Sequence, residues 1–193
     1  KGLMTQSGIA IIAYNEKAKE KMMVNTMPRF FFDLRKELKS IEEDNLTMWT
    51  PAVGLFYGVD KACDIILEEG LENRWKRHWH NHQALKAGLD ALNLHYTADA
   101  SCQLPQLNAV RIPEGVDDLK GRKFLLERFG IEVGGGLGDF KGKVWRIGLM
   151  GYNSKPSVVL LALAALEQAL TNQGVKVNPG AAVGAANNYY AKA

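Results

Sequence analysis

The order of periodicities between Leu107 and Gly174 constrains this chain more than any other feature of it. Residues 107–112, Leu-Asn-Ala-Val-Arg-Ile, alternate with the period of two that a strand requires and stop at Pro113. Residues 115–129 read as a helix closed by Gly130. Ile131-Glu132-Val133 and residues 143–149 read as strands on either side of a glycine loop. Ser154-Lys155-Pro156 then opens a last helix with Val159, Leu160, Leu163, Leu166 and Leu170 on its apolar face, ending at Gly174. Strand, helix, strand, strand, helix predicts an α+β unit, a small and mostly antiparallel sheet covered by helices.

Upstream of that unit, Thr50-Pro51 reads as the N-cap and first residue of a helix that carries Val53, Phe56, Tyr57 and Ile65 and ends at Gly70. A second, longer helix over 71–92 has Leu85, Leu89 and Leu92 at helical spacing. Residues 7–14 read as a short apolar strand with Asn15 as its stop, and Glu16 to Met23 as a short helix. Phe30-Phe31-Phe32 is a compact aromatic cluster expected in a core or an interface, with Met22, Met23, Met27 and Met48 as adaptable fillers. A lone strand and helix without earlier partners look like the tail of a domain. Residues 1–50 are therefore expected to be the end of a larger domain, residues 51–174 a small domain with its linking helix, and residues 175–193, rich in Ala, Gly and Asn, a loosely packed tail.

Composition removes several classes of function. The hydrophobic fraction of 47% and charged fraction of 23% suit a globular protein. The longest apolar run, residues 158–166, falls far short of the ~20 residues a membrane span needs, and no signal-peptide pattern opens the sequence. Cys63 and Cys102 stand in no metal or redox spacing and read as reduced cytosolic thiols or as small core residues, so a cytoplasmic protein is expected. A net charge of +3 is too small to argue for nucleic acid. Arg74-Trp75-Lys76-Arg77, beside Glu68, Glu69 and Glu72, reads as a solvated helix face.

Three segments invite chemistry. In His78-Trp79-His80-Asn81-His82 a helix would bring His78 and His82 to one face and turn His80 elsewhere, and two ligands make a poor metal site, so solvated or half-buried histidines are expected and no metal. Residues 134–138, Gly-Gly-Gly-Leu-Gly, resemble a phosphate loop but lead through Asp139-Phe140-Lys141-Gly142 into a strand rather than a helix. They are expected to allow close backbone approach or tight turning. In Lys143-Val144-Trp145-Arg146-Ile147-Gly148, Arg146 shares its strand face with small or apolar residues, where a guanidinium needs an anion. Its planar fork could bind a substrate carboxylate bidentately or close an internal salt bridge, and spacing alone leaves both open.

Taken together, several segments resemble the class V aminotransferases of pyridoxal-phosphate (PLP) fold type I, nearest to the alanine–glyoxylate and serine–pyruvate aminotransferases. They are Lys1-Gly2-Leu3-Met4 with Gly8, residues 50–53, Glu68-Glu69-Gly70-Leu71-Glu72-Asn73-Arg74-Trp75, residues 134–138, and residues 143–151, in the family's order and spacing. The resemblance implies an α/β protein. In it a C-terminal α+β domain follows the end of a PLP-binding large domain, and this chain is the C-terminal half. It assigns the cofactor lysine to Lys1, which holds PLP and shuttles the substrate's α-proton. It assigns a hydroxyl on the cofactor's phosphate to Thr50, reaching across a homodimer, and the substrate α-carboxylate to Arg146. The implied reaction is transamination of alanine or serine with glyoxylate or pyruvate. Groups that stack on the PLP ring lie upstream in the family, so this chain alone is not expected to be a competent enzyme. A non-catalytic assembly module is the alternative, since cyanobacterial proteins described as soluble hydrogenase subunits look like the same family. Gln6-Ser7 stand where the family often has Pro-Pro, and Thr47 and Trp49 lie where some relatives place a tyrosine.

Overall fold

The computed structural model describes residues 1–192, which divide into two compact units, one of residues 5–63 and one of residues 1–4 with residues from 64 onward. In the first unit, α1 (Glu16–Val24) begins at Asn15, whose side chain accepts the Ala18 amide at 3.0 Å. Asn15 is thus a helix cap rather than the end of a strand. Residues 8–15 form no ladder, and Ile11 and Ile12 are exposed, because an extended segment without a neighbouring strand has nothing to pair with. Asp33 caps α2 (Leu34–Glu43) and pairs with Arg35 at 2.8 Å. Phe31 stacks on Trp49 with ring centroids 5.2 Å apart, yet Phe30, Phe31 and Phe32 are 73%, 58% and 84% exposed, which corrects the core reading of this cluster. The linking helix α3 (Val53–Glu69) begins three residues beyond Thr50. Thr50 is exposed ahead of it and does not cap it.

The second unit carries the core. Gly70, at φ 79°, breaks the chain between α3 and α4 (Leu71–Ala91) as the sequence predicts. Next come β1 (Leu107–Arg111), α5 (Asp118–Phe129), β2 (Gly134–Gly135), β3 (Val144–Gly148) and α6 (Pro156–Asn172). Both strand pairs are antiparallel in the order β1-β3-β2, so the expected small antiparallel sheet with covering helices is what forms. The second strand, however, consists of two of the loop glycines rather than residues 131–133. Residues 175–193 were expected to be a loose tail, but α7 (Ala181–Tyr190) packs on α4 and α6, with Ala182 and Ala186 fully buried. Small side chains are what make this possible. A Cβ at Gly88 on α4 would lie 2.9 Å from the Ala182 carbonyl and run into both Leu163 methyls, so the helices approach almost backbone to backbone. Ala193 at the end of that segment lies outside the described residues. Glu167 on α6 fixes the start of α7 by accepting the Gly180 and Ala182 amides at 2.9 and 2.8 Å, a carboxylate placed at a helix N-terminus.

Candidate active site

Alternation along β3 sorts its side chains between two faces. Trp145 and Ile147 enter the core opposite Val110 and Asn108. Trp145 Nε1 donates to Asp118 at 3.1 Å, and Gly121 leaves room for the indole, where a Cβ would come within 2.7 Å of the ring. This anchoring sets the rotation of the strand and turns Arg146 to the other face, between Ala109 and Gly134. There Arg146 Nε donates to the Gly135 carbonyl at 2.7 Å. A Cβ at Gly134 would stand 3.1 Å from Arg146 Nη2 and 3.4 Å from Cζ, so the guanidinium lies against bare backbone. Among the described residues no carboxylate pairs with Arg146 and nothing engages its two terminal nitrogens. Of the two fates open to this arginine, the internal salt bridge is absent here. The fork is held at its root and free at its tip, a geometry suited to a planar anion.

The glycine run therefore serves close approach, as expected, though as a strand more than as a turn. Gly136 cannot carry a Cβ without striking the Phe140 carbonyl. Across the strand from Arg146, Gly135 lies against Arg122, which pairs with Asp118 at 2.8 Å.

Lys1 opens a tight turn in which the Met4 amide donates to the Lys1 carbonyl at 2.9 Å. Met4 adopts φ 60°, a left-handed conformation that costs a non-glycine residue about 1 kcal/mol or more. The turn is fastened on two sides. Arg74 Nη2 donates to the Gly2 carbonyl, and the Met4 side chain presses on Gly151, where any Cβ would collide with it. The Lys1 amine itself is exposed and makes no ion pair among the described residues.

Arg74 and Arg77 read as a solvated face in the sequence, and here the structure disagrees. Arg74 is 7% exposed and meets Glu69 at 3.0 Å, while Arg77 reaches the same carboxylate through Nε and, at 3.0 Å, through Nη2. The Arg77 guanidinium, with Arg74 behind it, holds the Glu69 carboxyl below its ordinary range despite partial burial. Arg77 Nη1 also donates to the Gly151 and Ser154 carbonyls at 2.9 and 2.7 Å. A basic run beside three glutamates looks like a surface pattern until the Gly70 break folds Glu69 back onto the next helix. The break is the one signal in the sequence that could have shown this.

The histidines are more buried than the sequence suggests. His78 Nδ1 donates to the Arg74 carbonyl at 2.7 Å, and its Nε2 accepts the Gly151 amide at 3.1 Å, which fixes a neutral tautomer. Burial pushes its pKa down. His82 is 1% exposed, with its ring nitrogens against Asn108 Oδ1 at 2.6 Å and Gln103 Oε1 at 3.2 Å. Among the described residues no group of His, Cys, Asp and Glu could hold a metal. Among the described residues no helix is long and apolar enough to cross a membrane. Thr50 belongs to the other unit, and its hydroxyl engages no partner among the described residues.

No protein-family model matches the chain. It is 35% identical, over its whole length and 51% of the relative's, to the (S)-ureidoglycine–glyoxylate transaminase of Bacillus subtilis. The crystal structure of ureidoglycine–glyoxylate aminotransferase from that organism superposes with a TM-score of 0.89 at 36% identity, covering 99% of this chain and 50% of that one. A serine–glyoxylate aminotransferase of Methylorubrum extorquens is 33% identical over 98% of the chain and 48% of its own length. A protein named as the small subunit of a soluble hydrogenase in Synechococcus is 37% identical over 97% of the chain and 48% of its own length. The chain spans about half the length of the curated relatives it matches.

Proposed function

The chain belongs to the class V aminotransferase family, and from that premise we propose that it is the C-terminal half of a PLP-dependent enzyme. That enzyme moves the amino group of a small amino acid, alanine or serine, to glyoxylate or pyruvate. The observation that carries this reading is the Arg146 fork, fixed at Nε by the Gly135 carbonyl and open at both terminal nitrogens on a face lined by Ala109 and Gly134. A carboxylate common to the amino donor and the oxo acceptor is the ligand such a fork fits, and a single arginine then serves both half-reactions.

The residues present also suit the cofactor. Lys1 offers a primary amine with no competing ion pair among the described residues, on a turn tied down by Arg74 and Gly151. Thr50 offers an unengaged hydroxyl for the phosphate. PLP, when bound, supplies the electron sink that transamination requires. Arg146 holds the substrate carboxylate and so orients its Cα–H. Lys1 Nζ takes a proton from that Cα and returns one during the exchange.

A homodimer in the cytoplasm is part of the proposal. It is supported by the exposed aromatic surface of Phe30, Phe31, Phe32 and Trp49 beside Thr50 in sequence and by the unpaired, exposed Cys63 and Cys102. The similarity to a hydrogenase subunit favours a second reading, a non-catalytic assembly module. One experiment separates the two. The full-length protein, purified with PLP, should show a visible absorption band that Lys1→Ala abolishes. Amino acid plus glyoxylate should turn over with a KM that rises roughly a hundredfold or more in Arg146→Ala, as for loss of other desolvated charge pairs. A band that survives Lys1→Ala, or a KM that Arg146→Ala leaves unchanged, would overturn the assignment.

A further inference from the structure

We propose that Arg74 is a positioning residue for Lys1, holding the strained turn that presents the lysine amine through its bond to the Gly2 carbonyl. The inference rests on the reading of Lys1 as the cofactor lysine. Three observations carry it. Arg74 is a buried arginine whose guanidinium divides its donors between a side-chain carboxylate, Glu69 at 3.0 Å, and one backbone carbonyl 72 residues away in sequence, that of Gly2. The turn it grips contains a methionine at φ 60°. Such a conformation persists only where surrounding contacts over-determine it, and those contacts here are Arg74 on one side and Gly151 on the other. Gly151 in turn is held through both faces of its peptide environment, its amide by His78 and its carbonyl by Arg77. Glu69 balances the charge of both arginines, so Arg74 can offer its second edge to a neutral carbonyl without leaving a buried cation unpaired.

Ordinary helix packing does not explain this arrangement. An arginine needed only for a salt bridge to Glu69 would be redundant with Arg77, which already engages both carboxylate oxygens. What Arg74 adds is the bond to Gly2, one residue from the lysine. Without it the turn relaxes away from φ 60° at Met4, and the amine samples positions away from the cofactor's reactive carbon. A displacement on the order of 1 Å at a reacting group costs up to a hundredfold in rate. Arg146 is anchored separately by β2, so substrate affinity should not follow.

The test uses full-length protein with PLP, comparing wild type, Arg74→Met, Arg74→Lys and Lys1→Ala. Arg74→Met leaves Glu69 paired with Arg77. Arg74→Lys keeps the charge but lacks the planar fork needed to reach both acceptors. Expected for Arg74→Met are a fall of about tenfold or more in kcat with KM for amino and oxo acids within twofold. The cofactor-free protein should capture added PLP correspondingly more slowly, followed by the rise of the visible band, and the pH midpoint of that band should shift. Arg74→Lys should fall between Arg74→Met and wild type. Circular dichroism melting establishes which variants are folded, and Arg74→Lys decides the matter alone if Arg74→Met is not. A folded Arg74→Met, or failing that a folded Arg74→Lys, with wild-type capture rate, kcat and band titration overturns the proposal. So does a variant that raises KM while leaving kcat unchanged. Retention of the band in Lys1→Ala would instead refute the reading of Lys1 itself, so the two failures are distinct.

Discussion

Adding a single methyl group at Gly134 should weaken substrate binding without unfolding the protein. The new Cβ would sit 3.1 Å from Arg146 Nη2 and 3.4 Å from Cζ and Nε, where carbon and nitrogen prefer roughly 3.5 Å or more. Gly134 does not occupy the left-handed region, so alanine brings no backbone strain of its own. The edge strand β2 is paired to β3 through this residue, and the guanidinium is the softer partner, so the guanidinium gives way. A shift of a few tenths of an ångström stretches the 2.7 Å bond from Nε to the Gly135 carbonyl and tilts the fork. Net hydrogen bonds to charged groups are worth about 1.5–3 kcal/mol. Losing roughly half of one corresponds to about 1 kcal/mol, or about a fivefold loss of kcat/KM. Steady-state kinetics on the full-length protein should show this loss as a raised KM for both amino and oxo acid, with kcat within about twofold, because the interaction removed is common to ground and transition states. Gly148→Ala is the control, since a Cβ there meets nothing within 4 Å. Unchanged KM values in a folded Gly134→Ala protein, or an equal rise in Gly148→Ala, would refute the claim that β2 holds the carboxylate anchor.

Other consequences concern stability. His78 is held by burial below its ordinary pKa of 6.5, so the unfolded chain takes up a proton below that pH and the folded one does not. Stability should therefore fall as pH drops from 7 toward 5, and the denaturant midpoint should lose much of that slope in His78→Gln. Gly88→Ala should destabilise by about 1–3 kcal/mol by overpacking against Leu163 and the Ala182 carbonyl, seen as a lower melting temperature. Glu167→Ala removes the acceptor for two amides at the start of α7 and should cost about 1–2 kcal/mol, with faster hydrogen exchange confined first to residues 180–190. Unchanged exchange there would mean that α7 is held by packing on α4 and α6 without this cap.

The sequence was most legible where one period dominates. α4, α5, α6, β1 and β3 lie within a few residues of where alternation, helical spacing, Gly70, Gly130 and Pro156 place them. It was least legible where small residues act through what they lack. Gly134-Gly135 forms a strand that exists to leave room for Arg146, and no strand propensity announces it. The Ala- and Gly-rich segment after Gly174 looked unable to bury enough to order itself. Its alanines instead let α7 approach α4 more closely than larger side chains would. The apolar residues 8–13 and Phe30–Phe32 are instead largely exposed in the chain, because hydrophobicity marks a need for burial and not the partner that meets it.

The site carries the same asymmetry. Arg146 stood out as a charge on an apolar strand, but the groups that hold Lys1 did not, because their partners are backbone atoms. Arg74 meets the Gly2 carbonyl, Arg77 the carbonyls of Gly151 and Ser154, and His78 the amide of Gly151. Carbonyls and amides are identical in every sequence, so no pattern of side chains can reveal such pairings in advance. Lys1 and Arg146 nevertheless fall in one compact unit although 145 positions separate their numbers, and Thr50 falls in the other. Within that unit, α4 grips the Lys1 turn through Arg74 and the loop that follows β3 through Arg77 and His78. The Lys1 turn and the loop after β3 are thus held by one helix rather than by the course of the chain between them. Substitutions in α4 that leave both groups intact should therefore alter turnover more than those in α5, which meets the far face of the sheet at Trp145 and Gly135.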